Sequence, residues 1–109
     1  MKLPNGERAV VDSAKLREYC LNPDHYRGRH KARVFGSIDI HQDDSEILRA
    51  ALLTAAREAE ARPGDFNQFG QRYVVDLVLL RHGRAVNIRS LWMVRIGENF
   101  PRLTTCYVL

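Results

Sequence analysis

Residues 72–96, RYVVDLVLLRHGRAVNIRSLWMVRI, decide the fold of this chain. The first part, Arg72–Leu80, is rich in β-branched residues, which favour strands. Arg81-His82-Gly83 predicts a turn, because glycine readily takes the positive φ that a tight hairpin needs. Ala85–Ile96 then alternates between two sets of side chains, as a strand does. The segment therefore predicts two strands joined by a hairpin.

A third strand is predicted at Arg102–Val108, after a turn at Gly97–Pro101. Short connections between consecutive strands favour an antiparallel meander. Alternation places Ser90 and Trp92 on one face of their strand and Arg89 on the other, unless a bulge re-aims it. By the same rule, one face of the last strand carries Leu103, Thr105 and Tyr107.

Helices are predicted before this sheet. The clearest is residues 45–62, SEILRAALLTAAREAEAR, where leucines and alanines repeat at helical spacing and Pro63-Gly64 ends the helix. A first helix begins after a cap at Asp12 or Ser13 and ends at Asn22-Pro23. A second, short helix is predicted at residues 31–38. Upstream, Ala9-Val10-Val11 predicts a brief strand that joins one edge of the sheet.

Together these elements predict one α+β domain over residues 1–109. It has a short N-terminal strand and two to three helices packed on one face of an antiparallel three- to four-stranded sheet. The chain has 45% hydrophobic and 28% charged residues, which is ordinary for a globular domain. No apolar run is long enough to cross a bilayer or to form a signal peptide, so we expect a cytoplasmic protein without membrane contact.

The charge and the two cysteines limit the class of partner. A net charge of +4 favours contact with a polyanion such as RNA. Cys20 and Cys106 lack the spacing of a zinc site, and in a reducing cytosol they are expected as thiols in or near the core. His41 with neighbouring aspartates (Asp39, Asp43 and Asp44) forms only a loose metal-like pattern. We therefore expect no metal and no cofactor.

The loop at residues 22–31, NPDHYRGRHK, concentrates groups suited to phosphate chemistry. Histidine moves protons near neutral pH, lysine and arginine stabilise charge on a phosphoryl group, and tyrosine stacks on bases. His25 and Lys31 are the candidate catalytic residues here, and Arg27 and Arg29 the candidate substrate-binding ones. The alternative is a solvated loop in which His25 hydrogen-bonds the neighbouring backbone. His30 and His82 are expected to be exposed and solvated.

Hydroxyl and aromatic side chains recur in the last two strands. If the face with Ser90 and Trp92 coincides with the face that carries Thr105 and Tyr107, the four side chains form one patch for ribose or phosphate. The alternative is ordinary cross-strand pairing, which stabilises sheets without any ligand. In the first case Ser90, Thr105 and Tyr107 join the catalytic candidates, with Trp92 and Arg89 binding substrate.

Several segments together resemble a small bacterial family of unknown function. They are LNPDHYRGRHKARVF (residues 21–35), RYVVD (72–76), IRSLW (88–92) and PRLTTCYVL (101–109). Similar segments occur at the C-termini of polymorphic and contact-dependent toxins. The resemblance implies the barnase–EndoU–colicin–RelE nuclease architecture. It also implies a metal-independent ribonuclease, with tRNA one candidate substrate. The matching residues are His25, Lys31, Ser90, Trp92, Thr105 and Tyr107.

This chain departs from the family pattern at two of those places. Tyr26 stands where proline is usual, and Ser90 replaces the commoner threonine while keeping the hydroxyl. Two functions therefore stay open. One is a toxin-like ribonuclease that binds RNA, and the other is a non-enzymatic partner-binding protein, such as an immunity or antitoxin-like component. A short distance from His25 and Lys31 to the strand hydroxyls favours the nuclease, and placement on opposite sides favours the binding protein. A third possibility is a degenerate domain that keeps the fold but has lost the activity.

Overall fold

The computed structural model describes residues 1–109 and has three helices followed by a four-stranded sheet. The helices are α1 (Ser13–Lys15), α2 (Arg29–Ser37) and α3 (Ser45–Glu58), with α1 continuing into a π-helical turn at Leu16–Cys20. Short 3-10 turns precede α1 and α3 (Gly6–Arg8 and Gln42–Asp44). The strands are β1 (Ala61–Asn67), β2 (Gly70–Arg81), β3 (Arg84–Arg95) and β4 (Pro101–Val108). The predicted α+β class is confirmed.

The sheet is an antiparallel meander in the order β1-β2-β3-β4. The β2–β3 hairpin closes at the pair Arg81 and Arg84, so its loop is only His82-Gly83. Both loop residues have positive φ, 51° and 76°. Glycine makes the second of these easy, and the pair of positive values matches the twist of the strands. The predicted hairpin and its turn are confirmed.

The N-terminal strand is reduced to one residue, on the edge where it was expected. Val10 bridges β4 in parallel, opposite Arg102. Its N–H donates to the Pro101 carbonyl, and its carbonyl accepts from the Leu103 N–H, both at 2.9 Å. Asp12 then caps α1 by accepting from the Ala14 N–H, as predicted.

The predicted helix over residues 45–62 is too long at its C-terminal end. The helix ends at Glu58, and Ala59 is extended, with φ −82° and ψ 158°. Pro63-Gly64 therefore does not stop a helix but lies inside β1, an additional strand that the sequence did not predict. A proline is tolerated there because β1 is an edge strand with a register shift between Pro63 and Phe66. High helix propensity in the alanine-rich run hid this boundary.

The core lies between the helices and one face of the sheet. Leu48, Leu52 and Ala56 of α3 are fully buried. From the sheet, the face turned to the helices contributes Val75, Ile88, Ser90 and Trp92, all fully buried. The expectation that Ser90 and Trp92 lie on a face open to ligand is therefore wrong.

A bulge in β4 explains the error in the strand faces. Trp92 pairs with Leu103, but Leu91 pairs with Thr105, so one extra residue lies in β4 at this point. An extra residue reverses the face of every side chain beyond it. Tyr107 consequently pairs with Arg89 on the face away from the helices. The predicted common face for Leu103 and Tyr107 is wrong, whereas the predicted opposite placement of Arg89 and Ser90 is confirmed.

Candidate functional site

Lys31 is the centre of the candidate site. Helix α2 lies beside β4, and the Lys31 ammonium donates to the Thr105 hydroxyl at 3.1 Å. The same nitrogen lies 5.3 Å from the ring centroid of Tyr19 and 5.8 Å from that of Tyr107. An ammonium has three N–H donors, and its charge is attracted to aromatic faces. The lysine is thus held in place with donors left for an anion.

Tyr107 connects this lysine to a second cation on the outer face of the sheet. Arg89, its cross-strand partner, makes two parallel hydrogen bonds to the Asp76 carboxylate, at 2.8 and 2.9 Å. Those bonds hold the pKa of Asp76 below its usual value, with the nearby Arg62 contributing less. Asp76 in turn raises the pKa of Arg89, and the Tyr107 hydroxyl adds a smaller contribution. Arg89 is therefore fixed beside the phenol.

His30 completes a cleft between α2 and β4. The cleft has a volume of about 330 Å³ and is lined by His30, Lys31, Val34, Tyr107 and Val108. The His30 ring is exposed, as predicted, and forms no hydrogen bond within the chain. It is the histidine that sequence reasoning set aside. The available signal was its position next to Lys31 at the start of a short helix.

His25 has the backbone-capping role that was the alternative interpretation. Its Nδ1 accepts hydrogen bonds from the N–H groups of Arg27 and Gly28, both at 3.1 Å. Its ring meets Tyr19 edge to face, with centroids 4.8 Å apart. An Nδ1 that accepts two bonds carries no proton, so the proton of the neutral ring is on Nε2. His25 therefore orders the loop before α2 and supports Tyr19 under Lys31.

Ser90 and Trp92 form a buried hydrogen-bonded pair remote from solvent. The Ser90 hydroxyl donates to the Val75 carbonyl at 2.7 Å and accepts from the Trp92 indole N–H at 2.8 Å. Buried polar groups need such partners, and this arrangement satisfies both. The expected patch of Ser90 and Trp92 with Tyr107 is wrong, because the bulge puts Tyr107 on the other face. Of the four strand residues proposed from the sequence, Thr105 and Tyr107 lie beside Lys31.

Basic and aromatic side chains are also exposed around the N-terminal end of α2. Tyr26 is 81% exposed, and the Arg29 guanidinium lies 5.6 Å from its ring centroid. Arg27 and Arg33 are exposed as well. An exposed ring beside an arginine is a surface on which a nucleic-acid base stacks.

Two thiols lie below Thr105. Cys20 and Cys106 are buried and not joined, as predicted. The Cys20 sulfur is 3.9 Å from the Thr105 hydroxyl. A hydrogen bond from Cys106 lowers the pKa of Cys20 to about 6, against the opposing effect of burial. The pKa of Cys106 is raised by that same contact and by burial.

The other two histidines lie at the hairpin end of the sheet and take no part in the cleft. Asp39 bridges them, with its carboxylate 3.1 Å from His41 Nε2 and 2.6 Å from His82 Nε2. The hydrogen bond with His82 is the main cause that lowers the pKa of Asp39. His82 is exposed, as predicted. No three histidine, cysteine, aspartate or glutamate side chains are arranged to hold a metal ion.

Comparison with known proteins gives one family. Residues 2–109 match the family described as domain of unknown function (DUF6883), and the chain belongs to that family. Neither the curated proteins nor the solved structures contain a significant match. None of the helices has the length and apolar character needed to span a bilayer.

Proposed function

We propose that this member of the DUF6883 family is a metal-independent endoribonuclease that cleaves RNA in the cleft between α2 and β4. One observation carries the proposal: Lys31 is held 3.1 Å from Thr105 while it lines the same cleft as His30 and Tyr107. A fixed cation, an unengaged imidazole and a phenol are the three groups that such a reaction uses.

RNA binding comes from charge and stacking. The chain has a net charge of +4, which attracts a polyanion. Lys31 binds the phosphate to be cleaved, and Arg27 and Arg29 contact the neighbouring phosphates. Tyr26, largely exposed beside Arg29, stacks on a base of the single strand.

The chemistry is an attack by the ribose 2′-hydroxyl. His30 takes the proton from that hydroxyl, and its oxygen forms a bond to phosphorus. Lys31 stabilises the extra negative charge on the five-coordinate phosphorus. Tyr107 gives its proton to the 5′-oxygen as the P–O bond breaks, and Arg89 stabilises the phenolate. The products are a 2′,3′-cyclic phosphate and a 5′-hydroxyl, and Tyr107 recovers a proton from His30 through solvent.

The other residues that the sequence suggested as catalytic or substrate-binding then have supporting roles, because they hold the reacting groups in place. His25 caps the loop before α2 and supports Tyr19, so it positions Lys31 instead of moving the proton. Ser90 and Trp92 hold β3 in the core beneath the outer face that carries Arg89. Thr105 orients the Lys31 ammonium.

The biological role we propose is that of a toxin-like nuclease acting in the cytoplasm, with tRNA the first substrate to test and a cognate antitoxin or immunity protein as partner. The support is the resemblance of the motifs at residues 21–35, 88–92 and 101–109 to the C-terminal domains of polymorphic toxins. The two free thiols suit a reducing compartment.

The test uses the purified chain with tRNA and total RNA in the presence of EDTA. We expect fragments that end in a 2′,3′-cyclic phosphate. An oligonucleotide with one 2′-deoxy residue at the cleavage site should stay intact, because it lacks the attacking oxygen. RNA that is unchanged after hours of incubation, or equal cleavage of the 2′-deoxy substrate, contradicts the proposal.

Non-enzymatic binding of a partner protein is the second candidate. The observation that favours it is an uncovered part of the edge of β2, where residues 76–81 pair with β3 alone. If the protein is such a binding protein, the contacts of Lys31 with Thr105 and Tyr107 serve only to hold α2 against β4.

A further inference from the structure

A second pocket lies nearer the start of β4 than the cleft does. Its volume is about 300 Å³, and no carboxylate side chain lines it. The residues that matter here are Lys15, Phe69, Met93, Arg95, Arg102 and Thr104. We call it the basic pocket, because three of these side chains are cationic and together they attract an anion.

Two of the three cations have no ion-pair partner within the chain. Lys15 and Arg95 form no ion pair. Arg102, in contrast, makes two parallel hydrogen bonds to the Glu98 carboxylate, both at 2.9 Å. Those bonds, and to a smaller extent the charge of Arg95, lower the pKa of Glu98. Arg102 is thus a fixed wall of the basic pocket, whereas Lys15 and Arg95 are available to a ligand.

An exposed aromatic ring lines the same pocket. Phe69 is 61% exposed, but its backbone is held on both sides. Its N–H donates to Asn67 Oδ1 at 2.8 Å, and its carbonyl accepts from the Ile96 N–H at 3.1 Å. A base of a single-stranded nucleic acid stacks on such a ring while cations bind the phosphates. The bases of a duplex are already stacked on one another, so the basic pocket favours a single strand.

The basic pocket and the cleft lie in sequence along β4. Arg102 lines the pocket and Tyr107 lines the cleft, and at about 3.3 Å per residue they are roughly 16 Å apart along the strand. The first helix has the same order, since Lys15 lines the pocket and Tyr19, one turn later, lies 5.3 Å from the Lys31 ammonium. A nucleic-acid strand that leaves the cleft along β4 therefore reaches the basic pocket after a few nucleotides.

We propose that the basic pocket is a subsite for single-stranded RNA, which binds the part of the substrate that continues from the cleft along β4. Lys15 and Arg95 bind phosphates there, and a base stacks on Phe69. This inference rests on the proposed nuclease function, because an RNA strand is the ligand that joins the two places. The bond to be cleaved stays in the cleft, so the subsite adds affinity and leaves the chemical step unchanged.

The first measurement is the affinity of the full chain for an all-2′-deoxy decanucleotide, which lacks the attacking hydroxyl and stays intact. Fluorescence anisotropy at several salt concentrations gives Kd. Phe69→Ala should weaken binding about 5- to 150-fold, because one base loses its stacking partner. Arg95→Gln should weaken binding and reduce the salt slope by about 0.7, the value for one phosphate contact on a single strand. Arg84→Gln, an exposed arginine at the hairpin, is the matched control and should bind as the parent does.

The second measurement is RNA cleavage in EDTA with two substrates, a decanucleotide and a dinucleotide that fills only the cleft. Phe69→Ala and Arg95→Gln should raise KM for the decanucleotide at unchanged kcat, which is the sign of lost ground-state binding. Both constants for the dinucleotide should equal those of the parent. Damage to the fold would instead change the cleavage of both substrates.

The outcomes separate this inference from the proposed function. A parent that binds the deoxy strand but cleaves no RNA overturns the nuclease, and the Kd values of the variants then decide the subsite. A parent that cleaves RNA, with Kd and KM unchanged in Phe69→Ala and Arg95→Gln, overturns the subsite and leaves the basic pocket to an acidic segment of a partner protein. No binding by the parent, or an equal loss in Arg84→Gln, also overturns the subsite.

Discussion

The ammonium of Lys31 lies 3.1 Å from the hydroxyl of Thr105, although 74 residues separate the two along the chain. This contact joins the short helix α2 to the last strand. It also brings Lys31 near Tyr107, whose cross-strand partner is Arg89. The predictions below follow from that placement and from the hydrogen bonds around it.

His30 is predicted to be the proton-transfer group. His30→Gln keeps the size and polarity of the side chain but cannot exchange a proton, so RNA cleavage should fall by about 10²–10⁴-fold. His82→Gln, at the hairpin, is the matched control and should cleave as the parent does. Equal activity of the two variants would remove His30 from the mechanism.

His25 is predicted to act on stability and position. His25→Ala removes the acceptor for the Arg27 and Gly28 N–H groups and should lower the free energy of unfolding by about 1 kcal/mol, as loss of a helix cap does. Urea unfolding measures this. The remaining cleavage should keep the pH profile of the parent. A profile that loses its inflection would show that His25 itself transfers the proton.

The buried pair of Ser90 and Trp92 is predicted to stabilise the core. Ser90→Ala leaves the indole N–H without a partner and should cost about 1–3 kcal/mol of unfolding free energy. Thr104→Ala, at an exposed position in the neighbouring strand, should change it little. An unchanged urea midpoint for Ser90→Ala would mean that the indole finds another acceptor.

The ion pair of Asp76 and Arg89 predicts a pH dependence of stability. Folding lowers the pKa of Asp76, so its ionised form contributes stability above the usual aspartate pKa of 3.8, and that contribution is lost as pH falls through the lower pKa of the folded state. Asp76→Asn should therefore be less stable than the parent at pH 7, and the difference should shrink as the pH falls below 3.8. Thermal unfolding at several pH values measures the difference. A gap that stays constant with pH would contradict this assignment.

Much of the fold could be predicted because periodicity is strong in the second half of the chain. The β2–β3 hairpin follows from alternation around His82-Gly83, and α3 follows from its leucine and alanine stripe. The end of α3 could not be predicted, because the alanines before Ala61 favour a helix until the sheet pairs that residue with Val75. Tertiary pairing there outweighs local propensity.

The site was predicted in part. Lys31, Thr105 and Tyr107 meet as expected, because the loop and the last strand were both recognised as chemically rich. Tyr107 was expected to share a face with Ser90 because the bulge before Thr105 leaves no mark in the alternation of β4. His25 hydrogen-bonds the backbone and His30 lines the cleft, a difference that depends on loop geometry and leaves no mark in the sequence.

The most direct test of the account is the initial rate of RNA cleavage, in EDTA, by four proteins: the parent, Lys31→Met, Lys31→Arg and Lys2→Met. Lys31→Met removes the cation at nearly constant volume and should lower the rate by about 10²–10³-fold. Lys31→Arg keeps the charge and should retain more activity, and Lys2→Met, the same change at an exposed site outside the cleft, should equal the parent. A parent that leaves RNA intact, or a Lys31→Met variant that cleaves at the parent's rate, would contradict the central claim.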